Sequence, residues 1–209
     1  MKRFLSFISL YLIFTAGFPQ PSDRNARRLF SEGCDNISRN KYSEAIRNFS
    51  DALKISPGFL EAYENRGVAK YYLMDYKGAI EDYDKALGIN PNDFNTYGRR
   101  GWAKYRLTDY NGAIADFTQA IRGADDKTQY YNIRGQAKYQ LGDFEEAISD
   151  FDKVIITFSA GKYQKSMALY WRGMIKIELG RKESGCKDLK EASRLGLEQA
   201  DLLIQVNCR

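Results

Sequence analysis

The sequence predicts an all-α fold, a solenoid of stacked helical hairpins. Three observations predict it. The chain repeats itself at a fixed step of 34 residues, small residues recur at fixed places within each step, and proline is scarce. Tyr (15) and Phe (12) are plentiful against only four Pro in 209 residues, a balance that suits a helical array better than a loop-rich β protein.

The repeat is read in columns. Gly33, Gly67, Gly101 and Gly135 stand 34 apart, as do Ala45, Ala79, Ala113 and Ala147. Phe49, Tyr83, Phe117 and Phe151 keep the same step, as do Ala52, Ala86, Ala120 and Val154, while Pro57 and Pro91 close the first two units. Segments echo each other: Asp75-Tyr-Lys-Gly-Ala-Ile80 matches Asp109-Tyr-Asn-Gly-Ala-Ile114 and Asp143-Phe-Glu-Glu-Ala-Ile148. Within a unit, the glycine and the alanine are small where two helices cross closely. The aromatic and the second small residue pack the next unit. Asp75, Asp109 and Asp143 precede the second helix, where a side-chain oxygen can accept free N–H groups.

This pattern of aromatic, Gly, Ala, aromatic, Ala and Pro resembles the tetratricopeptide repeat over about 170 of the 209 residues. The resemblance implies units at 26–59, 60–93, 94–127, 128–165 and 166–196, followed by a capping helix at 197–209. About four residues are inserted within 155–165 before the fifth unit, where Gly173 keeps the packing glycine and Gly185 replaces the recurring alanine. The implied architecture is a right-handed superhelical solenoid of about five helix-turn-helix repeats plus the C-terminal cap. Its concave face is made mainly by the first helix of each unit, helix A. No unit buries its apolar face alone, so stacking supplies the core.

Two columns depart from the commonest family pattern. The seventh and eleventh positions are Arg66 and Lys70, Arg100 and Lys104, Arg134 and Lys138, and Arg172 and Lys176. The twenty-third position of the same units is Asp82, Asp116, Asp150 and Asp188. The first unit lacks all three together and has Glu32, Asn36 and Asn48. Two cations four residues apart share a helical face and repel unless an acid lies between them. Joint presence and joint loss therefore predict one ion-pair network linking helix A to helix B.

Cys186 occupies the twenty-first position of its unit, a core column held by Ile46, Ile80, Ile114 and Ile148 elsewhere. It faces the cap, and Cys208 lies near the end of that cap. A Cys186–Cys208 disulfide is expected, with two small buried thiols as the alternative. Gly-Cys units followed by a Cys-ended helix resemble exported bacterial repeat proteins of the Bacteroidetes type, which supports the pairing. Cys34 is left over, on helix A of the first unit.

Residues 1–17 read as a signal peptide: Lys2 and Arg3, then an uncharged, mostly apolar run from Phe4 to Phe14, then Thr15-Ala16-Gly17 with small residues before the cut. The apolar run is shorter than the roughly 20 residues that span a bilayer, so no stable membrane span is expected after cleavage. Residues 18–25 read as a linker. The expected location is exported: periplasmic, envelope-associated or secreted. The formal charge is +5, but removing Lys2 and Arg3 from 32 basic residues leaves 30 against 27 acidic. Like charges form no block, so no nucleic-acid partner is expected. The chain has no histidine, and its three cysteines are far apart. Without the commonest general base and metal ligand, and with no phosphate loop or nucleophile elbow, the reading is non-catalytic, with no cofactor and no metal.

The resemblance places helix A positions two, five, nine, twelve and thirteen on the concave face. Its expected ligand groove is Glu61, Glu64, Tyr71, Tyr72, Trp102, Tyr105, Gln136, Tyr139, Tyr170 and Met174. Aromatic rings in a concave wall suit a peptide or protein segment, since Trp and Tyr dominate binding hot spots. The family's clamp for a C-terminal carboxylate is incomplete: Asn65 and Arg99 fall in two of its columns, but Phe30, Cys34 and Asn95 occupy the other three. The expected function is a protein-protein interaction scaffold with an unidentified protein or peptide partner. A carbohydrate or peptidoglycan binder, and a purely structural spacer in an envelope complex, are the alternatives.

Overall fold

The computed structural model describes residues 23–208, so the signal segment at 1–17 lies outside the described residues. Eleven helices follow one another among them, with no strand. They pair as α1 (Arg24–Ser38) with α2 (Tyr42–Ile55), α3 (Leu60–Tyr72) with α4 (Tyr76–Ile89), and α5 (Phe94–Arg106) with α6 (Tyr110–Gly123). The series continues as α7 (Thr128–Leu141) with α8 (Phe144–Ile156), α9 (Lys162–Glu178) with α10 (Lys182–Arg194), and then α11 (Gln199–Asn207). Each helix packs on its hairpin partner and on the next hairpin, forming a solenoid.

The glycine column sets how close each hairpin closes. A Cβ on Gly33, Gly67, Gly101 or Gly135 would sit 2.5–2.9 Å from the ring of Phe49, Tyr83, Phe117 or Phe151 in the same unit. Those four rings are fully or almost fully buried. In the fifth unit the aromatic becomes Leu189, and Gly173 meets Gly185 backbone to backbone. A Cβ on Gly185 would lie 2.6 Å from the Gly173 carbonyl oxygen.

One turn joins helix A to helix B in every unit. Its fifteenth position has a left-handed backbone: Asn40, Met74, Thr108, Gly142 and Gly180, with φ from 58° to 83°. In the second unit the Asp75 N–H donates to the Lys70 carbonyl and the Met74 N–H to that of Tyr71, a Schellman end that recurs down the solenoid. Three units thus hold a side chain where glycine is favoured.

Of the three expected caps, Asp75 and Asp109 accept the N–H of Gly78 and Gly112 at 2.9 and 3.0 Å, but Asp143 makes no side-chain cap bond. The cause is the residue three places on. A Cβ at Gly78 or Gly112 would collide with the capping carboxylate, and the fourth unit has Glu146 there. Its helix start keeps acidic residues, Glu145 and Glu146, in the first turn instead.

At the amino end, α1 begins at Arg24 with Asp23 as its cap, inside the segment read as linker. The extra residues before the fifth unit lengthen α9, which starts at Lys162 and runs 17 residues against 13–15 for the other A helices. At the far end, Leu197 and Ala200 bury against Leu169 and Ala192, and Ile204 packs beside them. The Cys186–Cys208 disulfide, Cα–Cα 5.7 Å, ties the end of α11 to α10. The outer face of α11 is not wholly polar: Leu202 and Val206 are exposed.

Candidate functional site: the inner face of the A helices

The inner face rests on a clasp repeated four times. In α3, Arg66 donates from Nε and Nη2 to Asp82 at 2.9 and 2.6 Å, and Lys70 lies 2.8 Å from the same carboxylate. Arg100 and Lys104 hold Asp116, Arg134 and Lys138 hold Asp150, and Arg172 and Lys176 hold Asp188, all at 2.6–2.8 Å. The forked guanidinium matches the two carboxylate oxygens, and the ammonium takes the remaining lone pairs. Burial alone would raise the Asp150 pKa, but bonds from Arg134 and Lys138 hold it below the usual carboxylate value.

Each arginine also reaches back one repeat. Nη1 of Arg66, Arg100 and Arg134 donates to Ser50, Asp84 and Thr118 at 3.0, 2.6 and 2.9 Å, and Nη1 of Arg172 donates to Asp152. These acceptors stand at the twenty-fifth position of the preceding unit. The clasp therefore joins three helices: its own A and B and the previous B. Tyr63, Tyr97 and Tyr131, one turn before the arginines, place their rings 5.3–5.6 Å from the guanidinium. The first unit fills the position with two amides and one carboxylate: Asn36 donates to Asn48 at 2.9 Å, and Asn48 to Glu32 at 3.2 Å.

The aromatic floor is built on a second column that sequence reasoning did not single out. Tyr71 packs on Tyr76 at 5.2 Å, Tyr105 on Tyr110 at 5.4 Å and Tyr139 on Phe144 at 5.7 Å, so the seventeenth position is the base of each inner ring. The thirteenth position leans on the same base one unit back: Tyr72 stacks on Tyr42 at 4.8 Å, and Arg106 lies over Tyr76 at 4.8 Å. The 34-residue spacing of Tyr42, Tyr76, Tyr110 and Phe144 was the available signal.

The expected groove residues separate into two groups. Tyr71, Tyr72, Trp102, Tyr105, Gln136, Tyr139, Tyr170 and Met174 are half-buried and keep part of their surface open. Trp102 rests edge-on against Phe117 at 5.9 Å, and Tyr170 against Trp171 at 5.8 Å. Glu61 and Glu64, read as polar edges, are buried at 6% and 3% exposure. Gly98, in the same column as Glu64, is covered by the Tyr130 ring, 2.6 Å from where a Cβ would lie. In the second and third units this column thus packs against the following unit and belongs to the wall.

Glu64 meets Thr96, whose hydroxyl lies 2.8 Å from Glu64 Oε1 and 2.7 Å from Asp93 Oδ2. Arg99 Nη1 is 3.8 Å from Glu64. Burial, then the neighbouring Asp93, pushes the Glu64 pKa up to about 8. Cys34 is also raised, by burial first and then by Asp35, to about 11, so its thiolate is scarce at neutral pH.

This architecture of hairpins stacked on small-residue crossings defines a helical repeat solenoid. Family models described as tetratricopeptide repeat match residues 60–93, and 99–163 and 134–185, together more than half of the chain. The chain belongs to the tetratricopeptide repeat family. No curated protein matches it in sequence. Several solved structures share the fold. MamA from Desulfovibrio magneticus RS-1 is 18% identical, with 83% of this chain and 96% of that chain covered and a TM-score of 0.77. YrrB, described as a TPR protein with an unusual peptide-binding site, is 19% identical over 86% and 91%, TM-score 0.76. The first TPR of Spaghetti (RPAP3), bound to the HSP90 peptide SRMEEVD, is 23% identical over 56% and 94%, TM-score 0.55.

Proposed function

We propose that the chain is a non-catalytic scaffold that binds a peptide or protein segment along the inner face of α3, α5, α7 and α9. The observation that carries this reading is the half-open aromatic, amide and thioether surface of Trp102, Tyr105, Gln136, Tyr139, Tyr170 and Met174. Rings fixed from behind by Tyr110, Phe144 and Trp171 lose little freedom on binding, which favours them as anchors. Two neighbours of the same fold carry peptide sites by description, which supports the class of ligand. The signal-like start and the Cys186–Cys208 bond support an exported, oxidising location.

A crosslinking pull-down from the native envelope fraction tests the reading. The wild type is compared with Trp102→Ala/Tyr105→Ala/Tyr139→Ala and with Gln136→Arg, which leaves every ring in place. A protein retained by the wild type and lost by both folded variants supports the groove. The same proteins with all three chains would retire it in favour of a structural role. Quenching of tryptophan fluorescence by soluble glycans would favour a carbohydrate ligand instead.

A further inference from the structure

The second and third repeats meet at a cluster that the clasp does not use. Glu64, on α3, is buried. Asp93 caps α5, accepting the Asn95 N–H at 3.0 Å. The Thr96 hydroxyl, on α5, lies within hydrogen-bond distance of both carboxyls, at 2.8 and 2.7 Å, and so stands between them. A threonine hydroxyl carries one hydrogen. With both carboxyls ionised, only one of these two contacts would hold a hydrogen, and the other would set lone pairs against lone pairs. The cations nearby do not cure this. Arg99 from α5 is the basic group facing Glu64, and at 3.8 Å it is beyond hydrogen-bond reach. Tyr83 from α4 and, toward Asp93, Tyr130 from α7 complete the titratable surroundings.

We infer that Glu64 and Asp93 share one proton that joins the second repeat to the third, and that its release loosens this joint. Glu64 is the carrier. Burial and Asp93 favour its neutral form, whereas bonds from Glu64, Thr96 and Asn95 outweigh burial and keep Asp93 ionised. Losing the proton leaves two negative charges, one buried on Glu64 and one half-buried on Asp93, between α3 and the start of α5. Because Glu64 is raised from 4.5 to about 8, the stability it supplies is complete below its unfolded value and is lost as pH rises toward 8. Arg99 is 3.8 Å from Glu64 and acts electrostatically on the half-buried Tyr72, so loosening the joint alters the inner face at that level.

Two measurements on the full chain test this. In urea unfolding, the wild-type unfolding constant rises on the order of several hundredfold between pH 5 and pH 9 from this site. Glu64→Gln, which keeps a donor toward Asp93, removes most of that dependence and is the more stable chain at pH 9. In infrared difference spectra, the wild type shows a protonated-carboxyl band at pH 6 that disappears by pH 9, and Asp93→Asn moves its loss to lower pH. Equal pH dependence in wild type and Glu64→Gln overturns the inference. If Glu64→Gln does not fold, the infrared band decides, and its absence at pH 6 overturns the inference equally.

Discussion

Repeats two to five close their hairpins with three charges, and repeat one closes its hairpin with two amides and a glutamate. The crossing itself is the same in repeats one to four: a glycine on helix A lies against a ring on helix B. The difference lies in what the arginine does beyond its own unit. Nη1 of each arginine needs an oxygen on the preceding B helix, and the first repeat has no preceding B helix among the described residues. An arginine there would leave part of its fork without a partner among the described residues. The clasp is therefore a fastener between repeats, whereas the amides of Asn36 and Asn48 with Glu32 close only their own hairpin.

This contrast can be broken by mutation. Asp150→Ala leaves Arg134 and Lys138 facing each other without their acid, in a site where the aspartate side chain is 1% exposed. The expected loss is about 3–5 kcal/mol by urea unfolding. Asn48→Ala removes a neutral partner and should cost only about 1 kcal/mol. Equal losses would mean that the charged clasp adds nothing to the amide version.

A second contrast lies between repeats four and five. Gly135→Ala pushes a methyl toward the Phe151 ring, which can shift, at a cost of about 1–3 kcal/mol. Gly185→Ala pushes one toward the Gly173 carbonyl, which is backbone, and should lie at or above the upper end of that range. Thermal melts of the two variants rank them, and the reverse order would contradict the backbone-to-backbone crossing.

Acid sharpens the same comparison. Asp150 is held below the usual value of 3.8, so its contribution is present above that pH and is lost as pH falls through its folded value. Acid unfolding of the wild type should be steeper than that of Asp150→Asn, and identical slopes would remove Asp150 from the account. The smallest effect expected is a gain. Thr108 is β-branched at φ 60°, where the fourth and fifth repeats have glycine, and Thr108→Gly should stabilise the chain by about 1 kcal/mol.

Much of this was legible in the sequence because a fixed period turns residue types into columns. The glycine and ring crossings, the clasp of arginine, lysine and aspartate, and the proximity of Cys186 to Cys208 all follow from what recurs and what departs together. What escaped depends on contacts between different columns of neighbouring units. The back-reaching bonds to Ser50, Asp84, Thr118 and Asp152 join chemically unlike residues, so no shared side chain marked the column. Glu64 looked like a groove edge by position alone. Its neighbours are Asp93, the last residue of its own unit and the cap of the next A helix, and Thr96 in the next repeat, and no second unit repeats that trio. Asp143 failed as a cap because Glu146 fills the space that Gly78 and Gly112 leave open.

The central claim is that the inner face of the A helices is the working surface. A photo-crosslinking residue placed at Gln136, on that face, and separately at the exposed Lys85 of α4, tests it most directly in the native envelope fraction. The account predicts one discrete adduct from position 136, suppressed by Met174→Arg, and none of that mass from position 85. The same adduct from position 85, or none from 136, would contradict it.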